Sequence, residues 1–387
     1  MPEPRRIVVV GTGVAGATAA LTLRKDGFDG QIVLAGEDPE LPYRRPALSK
    51  ELLDGTATPE RISLKPAATW DDLDIDLMVS ARVDSIGGGA VTFTGGNSLR
   101  YDRLLLATGS APRPLSLASG LPHVHTLRTL ADASALRTAL VPDASLVVVG
   151  AGLVGLEVAA TARRLGCRVT VLEAMDRPLA RVLPPALADA VADLHRSEGV
   201  ELLTSTHLQA LRPLNSGVEV TASGQTRQAD AVLIAVGTCP RTRLAERAGL
   251  LVSDGVIVDA YGRTSEPDIF AAGDVARYPD PSGGGMLRGE HWNHAQDHGA
   301  LAAANMLGAD RPYNAVPWCW TKQYGVTVQI CGHPTDADHL DITGDPHTFD
   351  FTALAHRNGH PIAAVAAGRP AAFRKLRTSL TPTTTPA

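Results

Sequence analysis

Apolar residues recur along this chain in short, nearly unbroken runs that stop at glycine. Residues 7–10 (IVVV) form a continuous β-branched run, the pattern of a strand buried on both faces of a parallel sheet. A loop with Gly11, Gly13 and Gly16 follows, then ATAALTLRKDG, which has helical composition and stops at Gly27. A second strand is predicted over residues 31–35, with Glu37 just past its end. The same order returns later: a strand over 147–149, a loop with Gly150, Gly152 and Gly155, a helix over 157–165 stopped by Gly166, and a strand over 168–172 ending at Glu173. The chain therefore carries an internal repeat of a strand–helix–strand unit.

Two further runs, RLLLATG (103–109) and AVLIAVG (231–237), each follow one repeat and end at glycine. Pro112 and Pro114 lie past the first and Pro240 past the second, so both are read as crossings between domains. A helix is predicted over 294–308. After Tyr313 the pattern changes to alternation, with strands over 327–331, 348–354 and 361–366, and then a helix over 371–380. The tail TPTTTPA is low-complexity and expected to be disordered. The expected division is a discontinuous domain over 1–112 and 240–312, an inserted domain over 113–239, and a C-terminal domain over 313–387.

The 387 residues are 44% hydrophobic and 20% charged, which excludes disorder or coiled coil as the main state. A net charge of −5 gives no electrostatic argument for nucleic acid or a lipid surface. No run approaches the eighteen or so apolar residues of a spanning helix, and 7–10 is too short for a signal peptide, so a cytoplasmic protein is expected. Cys167, Cys239, Cys319 and Cys331 form no CxxC pair, against a zinc ribbon, an iron–sulfur site or a vicinal redox disulfide. They read as small buried hydrophobes.

The repeated glycine loops bring in chemistry. Glycine lets the backbone approach a pyrophosphate, and the helix N-terminus that follows adds partial positive charge. Gly11, Gly13 and Gly16 would hold one pyrophosphate; Gly150, Gly152 and Gly155 would hold another. Glu37 and Glu173 would accept hydrogen bonds from the adenosine riboses. A carboxylate at 173 repels a 2′-phosphate, and no arginine occupies 174–176, so NADH is favoured; Arg177 and Arg181 leave NADPH open. Two dinucleotides in one chain suggest a flavin and a nicotinamide.

At this point the chain resembles the FAD-dependent, NADH-using ferredoxin reductases that serve bacterial monooxygenases and dioxygenases, within the pyridine nucleotide-disulfide oxidoreductases but without a redox disulfide. The resemblance spans essentially the whole chain. It rests on PYRRPALSK (42–50), LLLATG (104–109), LRTLADA (127–133), GAGLVGLEVAA (150–160), RPLARVL (177–183), TSEPDIFAAGDV (264–275), EHWNHAQDHG (290–299) and VPWCWTKQYG (316–325), in matching order and spacing. It implies an α/β fold with two Rossmann-like dinucleotide-binding domains, FAD in the discontinuous one and NADH in the inserted one, plus a C-terminal α/β domain.

The resemblance also implies roles. Arg44 contacts phosphate or adenine, Val83 gives a backbone contact to adenine, and Arg128 reaches FAD from the crossover. Ala15 joins the first glycine loop, and Ala107, Thr108, Gly109 and Gly273 line the flavin site. Asp274 binds the ribityl chain. Glu290, His291 and Trp292 open a helix whose N-terminus faces the flavin pyrimidine edge, where the dipole stabilises negative charge near N1. Val154, Arg181 and Gly237 belong to the NADH site. Lys50 and Glu157 pair beside flavin and nicotinamide as the catalytic pair, though Glu157 also reads as an acid placed by the helix dipole. Trp318 and Trp320 flank the flavin, with Trp320 the catalytic candidate; ordinary core aromatics are the other reading. Cys319 and Lys322 depart from the family pattern.

The expected partner is a two-iron ferredoxin, with Arg369, Arg374, Lys375 and Arg377 as a docking patch or a solvated helix face. A rubredoxin acceptor and an NADH-linked redox sensor are the alternative functions. Monomer and homodimer are both compatible with the sequence. No cysteine precedes Cys167, which removes the thiol that disulfide reductases or peroxidases of this group need beside the flavin. His291, His294 and His298 share one helix face and read as packed or surface residues, so no metal is expected.

Overall fold

In the computed structural model, residues 4–281 and 285–380 are described. The expected tail at 381–387 lies outside them. The chain divides into two units, Met1–Arg44 with Pro59–Ala111 and Cys239–Ala315, and Arg45–Thr58 with Pro112–Thr238 and Val316–Ala387.

The first unit is built on a five-stranded parallel sheet, in the order Ile269–Ala271, Arg103–Leu106, Arg6–Val10, Gln31–Ala35, Ile75–Met78. Its central strand is buried from Ile7 to Val10, as a β-branched run covered on both faces must be. The first glycine helix, Val14–Lys25, packs against the helix Trp292–Met306. Their approach is so close that a Cβ on Gly299 would collide with the Ala15 carbonyl. Ala15, Ala19, Ala302 and Ala303 from the two helices are buried in one hydrophobic core with the sheet. The unit also holds a three-stranded antiparallel sheet over Val83–Gly87, Ala90–Phe93 and Ser98–Arg100, and a three-stranded sheet over Val256–Ile257, Ala276–Pro279 and Met286–Leu287.

The second unit repeats the parallel sheet, in the order Glu201–Leu203, Arg168–Leu172, Ser145–Val149, Ala231–Ile234, Val124–His125. A second antiparallel three-stranded sheet spans Leu208–Pro213, Val218–Ala222 and Gln225–Ala229. The C-terminal part is a five-stranded antiparallel sheet, ordered Trp318–Gln323, Val326–Gly332, His360–Ala367, Asp350–Arg357, His339–Asp345, with the helix Pro370–Leu380 against it. Leu53, Ala159, Cys319, Val328 and Val365 share one hydrophobic core in this unit. The segment Arg45–Thr58 belongs to this unit.

Candidate functional site

The two glycine loops have the same construction. Gly11 and Gly150 adopt φ of +119° and +104°, where glycine alone is unstrained. A Cβ on Gly11 would run into the Ala107 carbonyl, and one on Gly16 or Gly155 into the carbonyl of Gly11 or Gly150. These glycines are therefore required by the turn and by helix–strand packing. Gly13 and Gly152 differ. Each is the N-cap of its helix, has φ compatible with any residue, and has nothing within 4 Å of the point where a Cβ would stand. Neither helix has a side-chain cap or an acidic residue in its first turn. Each start is an open cradle with helix amides facing it, the geometry that a pyrophosphate fits. Val154 is exposed beside the second cradle.

Glu173 accepts the amides of Ala151 at 2.6 Å and Met175 at 2.9 Å, so its carboxylate is held at the mouth of the second loop. Arg177 is engaged with Asp176 and Asp189, and Arg181 is exposed. Glu37 forms an ion pair with Arg241, a partner 204 residues away.

Around the first loop, the Ala107 amide donates to Val10 at 2.8 Å, the Thr108 hydroxyl to the Arg241 carbonyl at 3.0 Å, and Gly109 turns at φ +68°. Gly273 turns at φ +77°, with Ala15 against it. The following Asp274 is buried and accepts the Ser110 hydroxyl at 2.7 Å. His291 caps the helix Trp292–Met306 without a side-chain bond to its first turn, and Trp292 is half-buried. Glu290 is exposed and paired with Arg288. Arg44 is exposed, and Val83 is half-buried at a strand start. In the second unit, Arg128 donates its amide to Asp132 at 2.9 Å, while its carbonyl accepts Arg45. The exposed Gly237, at φ +100°, accepts the Arg113 amide.

Glu157 is buried and accepts three side-chain hydrogen bonds. It lies beyond the first turn of the helix Leu153–Arg164, so its role is not that of an amide-binding N-terminal acid. Its Oε2 receives Lys50 Nζ at 2.5 Å and the Ser49 hydroxyl at 2.5 Å; its Oε1 receives the Thr321 hydroxyl at 2.8 Å. Lys50 also donates to the Pro46 carbonyl at 3.0 Å, and Thr161 ties down the Ser49 carbonyl at 2.8 Å. The strand Trp318–Gln323 explains why Thr321 is there. Alternation sends Cys319, Thr321 and Gln323 inward and Trp318, Trp320 and Lys322 to the other face. On that face Trp318 and Trp320 lie 6.0 Å apart, and the Arg377 guanidinium sits 4.5 Å over the Trp318 ring.

Ser49, Thr321, Gln323 and His195 were not anticipated from sequence. Only the inward phase of the Trp318–Gln323 strand marks two of them. Two of the three helix histidines share one ring cluster: His294 bonds Tyr313 at 2.9 Å, stacks on Tyr278 and lies 5.1 Å from the His298 ring, and burial pushes its imidazole down to about 3. His298 is fully buried and likewise held neutral. Among the described residues no three groups could share a metal ion. Burial raises the Cys319 and Cys331 thiols to about 12, so neither presents a thiolate. No helix among the described residues is long and apolar enough to cross a membrane.

The pyridine nucleotide-disulphide oxidoreductase family model matches residues 5–299, and a reductase C-terminal model matches 318–387. Rhodocoxin reductase of Rhodococcus erythropolis is 40% identical over 344 residues, covering 87% of this chain and 80% of the relative. The ferredoxin–NAD(+) reductase component of the p-cumate 2,3-dioxygenase system of Pseudomonas putida is 40% identical over 352 residues, covering 90% and 86%. A solved covalent complex of putidaredoxin reductase with putidaredoxin superposes with a TM-score of 0.93 at 34% identity, covering 97% of this chain and 93% of that one.

Proposed function

The chain belongs to the pyridine nucleotide-disulphide oxidoreductase family, and from that premise we propose that it passes electrons from NADH through FAD to a two-iron ferredoxin serving a monooxygenase or dioxygenase. The observation that carries the reading is the pair of open glycine cradles, each with an uncapped helix start, which suits two dinucleotides. Relatives named as ferredoxin–NAD(+) reductase components support the acceptor class. We place the protein in the cytoplasm, where NADH is supplied.

FAD, when bound, supplies the conversion of a two-electron hydride donor into single-electron transfer. The chain's own residues do the rest. Gly11, Gly13, Gly16 and the first helix start bind the flavin pyrophosphate, and Asp274, held by Ser110, orients the ribityl chain. Arg44, Val83 and Glu37 belong to the phosphate and adenosine end; Glu37 then exchanges its Arg241 partner for ribose hydroxyls. The helix start at His291–Trp292 offers amide dipoles to developing negative charge. Gly150, Gly152, Gly155 and Glu173 bind NADH. Lys50, fixed by Glu157, orders the hydride-transfer site, and Trp320 limits solvent access there.

The test is the visible spectrum of the purified protein and its response to NADH and NADPH without oxygen. The reading expects a flavin spectrum bleached by NADH at concentrations where NADPH acts poorly. A protein that takes up no flavin when supplied with FAD would overturn it.

A further inference from the structure

Glu157 ends a longer line of hydrogen bonds. Thr321 Oγ1 lies 2.8 Å from Glu157 Oε1, Gln323 Nε2 lies 3.0 Å from Thr321 Oγ1, and His195 Nε2 lies 2.6 Å from Gln323 Oε1. The Tyr324 hydroxyl closes the far end, 3.4 Å from His195 Nδ1. His195, Thr321 and Gln323 are all buried.

The chemistry of the groups fixes the direction of every bond. An ionised carboxylate paired with Lys50 only accepts, so Thr321 spends its single proton on Glu157. Thr321 must then accept from Gln323, and only the amide nitrogen can donate. That turns the Gln323 oxygen toward His195, so His195 Nε2 carries the hydrogen and Nδ1 is the bare acceptor for Tyr324. Burial, which holds the imidazole neutral at about 4, agrees with a single ring proton. All four donors point one way, toward Glu157, and bonds aligned head to tail polarise one another.

Resting on the reductase reading above, we propose that His195, Gln323 and Tyr324 are positioning residues which, through Thr321, aim and polarise the Glu157 carboxylate and so set the Lys50 ammonium for hydride transfer. The other charged group on Glu157 is Lys50, and the neighbouring titratable group is Cys319, whose thiol stays protonated. The strand Trp318–Gln323 thus has two tasks: its outer face carries the tryptophans, and its inner face holds the catalytic pair.

Two measurements on the FAD-loaded protein test this. The first is the histidine ring ¹⁵N spectrum of the wild type, with His195 assigned through His195→Gln. The proposal requires the Nε2–H tautomer, unchanged from pH 8 to pH 6; an Nδ1–H tautomer or a titrating ring would overturn it. The second is stopped-flow flavin reduction by NADH in Thr321→Val, Thr321→Ser and Gln323→Leu. Thr321→Val should lower the limiting rate by about tenfold with little change in NADH affinity, as expected for a misaimed catalytic group. Gln323→Leu should do so less, and Thr321→Ser should restore the rate. Equal limiting rates in all three, with wild-type reduction intact, would overturn the proposal and leave the reductase reading standing. A wild type that NADH does not reduce would instead remove that reading.

Discussion

Lys50 Nζ and Glu157 Oε2 lie 2.5 Å apart, with both side chains largely withdrawn from solvent. A charge left alone at such a site costs about 3–5 kcal/mol, whereas replacing both partners by neutral groups of similar shape is far less harmful. Lys50→Met alone and Glu157→Gln alone should therefore each lower the unfolding midpoint, and the double variant should recover much of the loss. All three should slow flavin reduction by NADH. The cycle is read by denaturant unfolding and stopped flow on the same preparations. Additive stability losses would show that the pair is not coupled.

The open cradles give a second prediction. Gly13→Ala and Gly152→Ala place a methyl where the structure has no atom within 4 Å and the backbone is unstrained, so both should fold with unchanged thermal stability. Gly13→Ala should weaken FAD retention, and Gly152→Ala should raise the KM for NADH. Gly16→Ala and Gly155→Ala should behave differently, because their methyls meet the Gly11 and Gly150 carbonyls; these should lose stability outright. Titration with FAD and NADH beside thermal melts separates the two classes.

Much of this was legible in the chain. Buried strands read as β-branched runs, and the glycine loops carry their own turn requirement, so three strands of each parallel sheet and the two glycine helices were foreseeable within a few residues; short strands such as Ile75–Met78, Val124–His125 and Glu201–Leu203 carried no expectation. The expected helix at 157–165 begins earlier, at Leu153, because the loop glycines Gly150 and Gly152 leave Leu153 and Val154 free to start the first turn. The two three-stranded antiparallel sheets carried no expectation, since strands of three to six residues with exposed polar positions barely differ from loops. Partners distant in sequence were illegible for a different reason. Ser49 and Thr321 reach Glu157 across 108 and 164 residues, and Ser110 reaches Asp274 across 164; nothing local marks such meetings.

Buried neutral histidines predict acid sensitivity. His195 and His294 are held down to about 4 and about 3 by burial. Above pH 6.5 folded and unfolded chains both carry them neutral. Below it the unfolded chain binds protons that the folded chain refuses, so stability falls until the pH reaches the folded value. For His195 alone the loss is on the order of 3 kcal/mol once pH 4 is reached. Unfolding midpoints should decline between pH 6.5 and 5, before most carboxylates titrate. A flat profile across that window would contradict the neutral assignment.

Arg374 and Lys375 are exposed on the terminal helix, and Arg377 covers Trp318. If this face meets an acidic ferredoxin, Arg374→Glu with Lys375→Glu should slow ferredoxin reduction and flatten its dependence on salt. Reduction of ferricyanide by NADH should be unaffected. Equal loss with both acceptors would move the effect away from docking.

The central claim is electron transfer from NADH to an iron–sulfur protein, and an oxygen-free NADH titration followed by addition of a two-iron ferredoxin tests it most directly. The account predicts that NADH bleaches the flavin, that a long-wavelength charge-transfer band appears, and that ferredoxin is then reduced rapidly as the flavin colour returns. A flavin that NADH bleaches but that passes no electrons to any ferredoxin would contradict it.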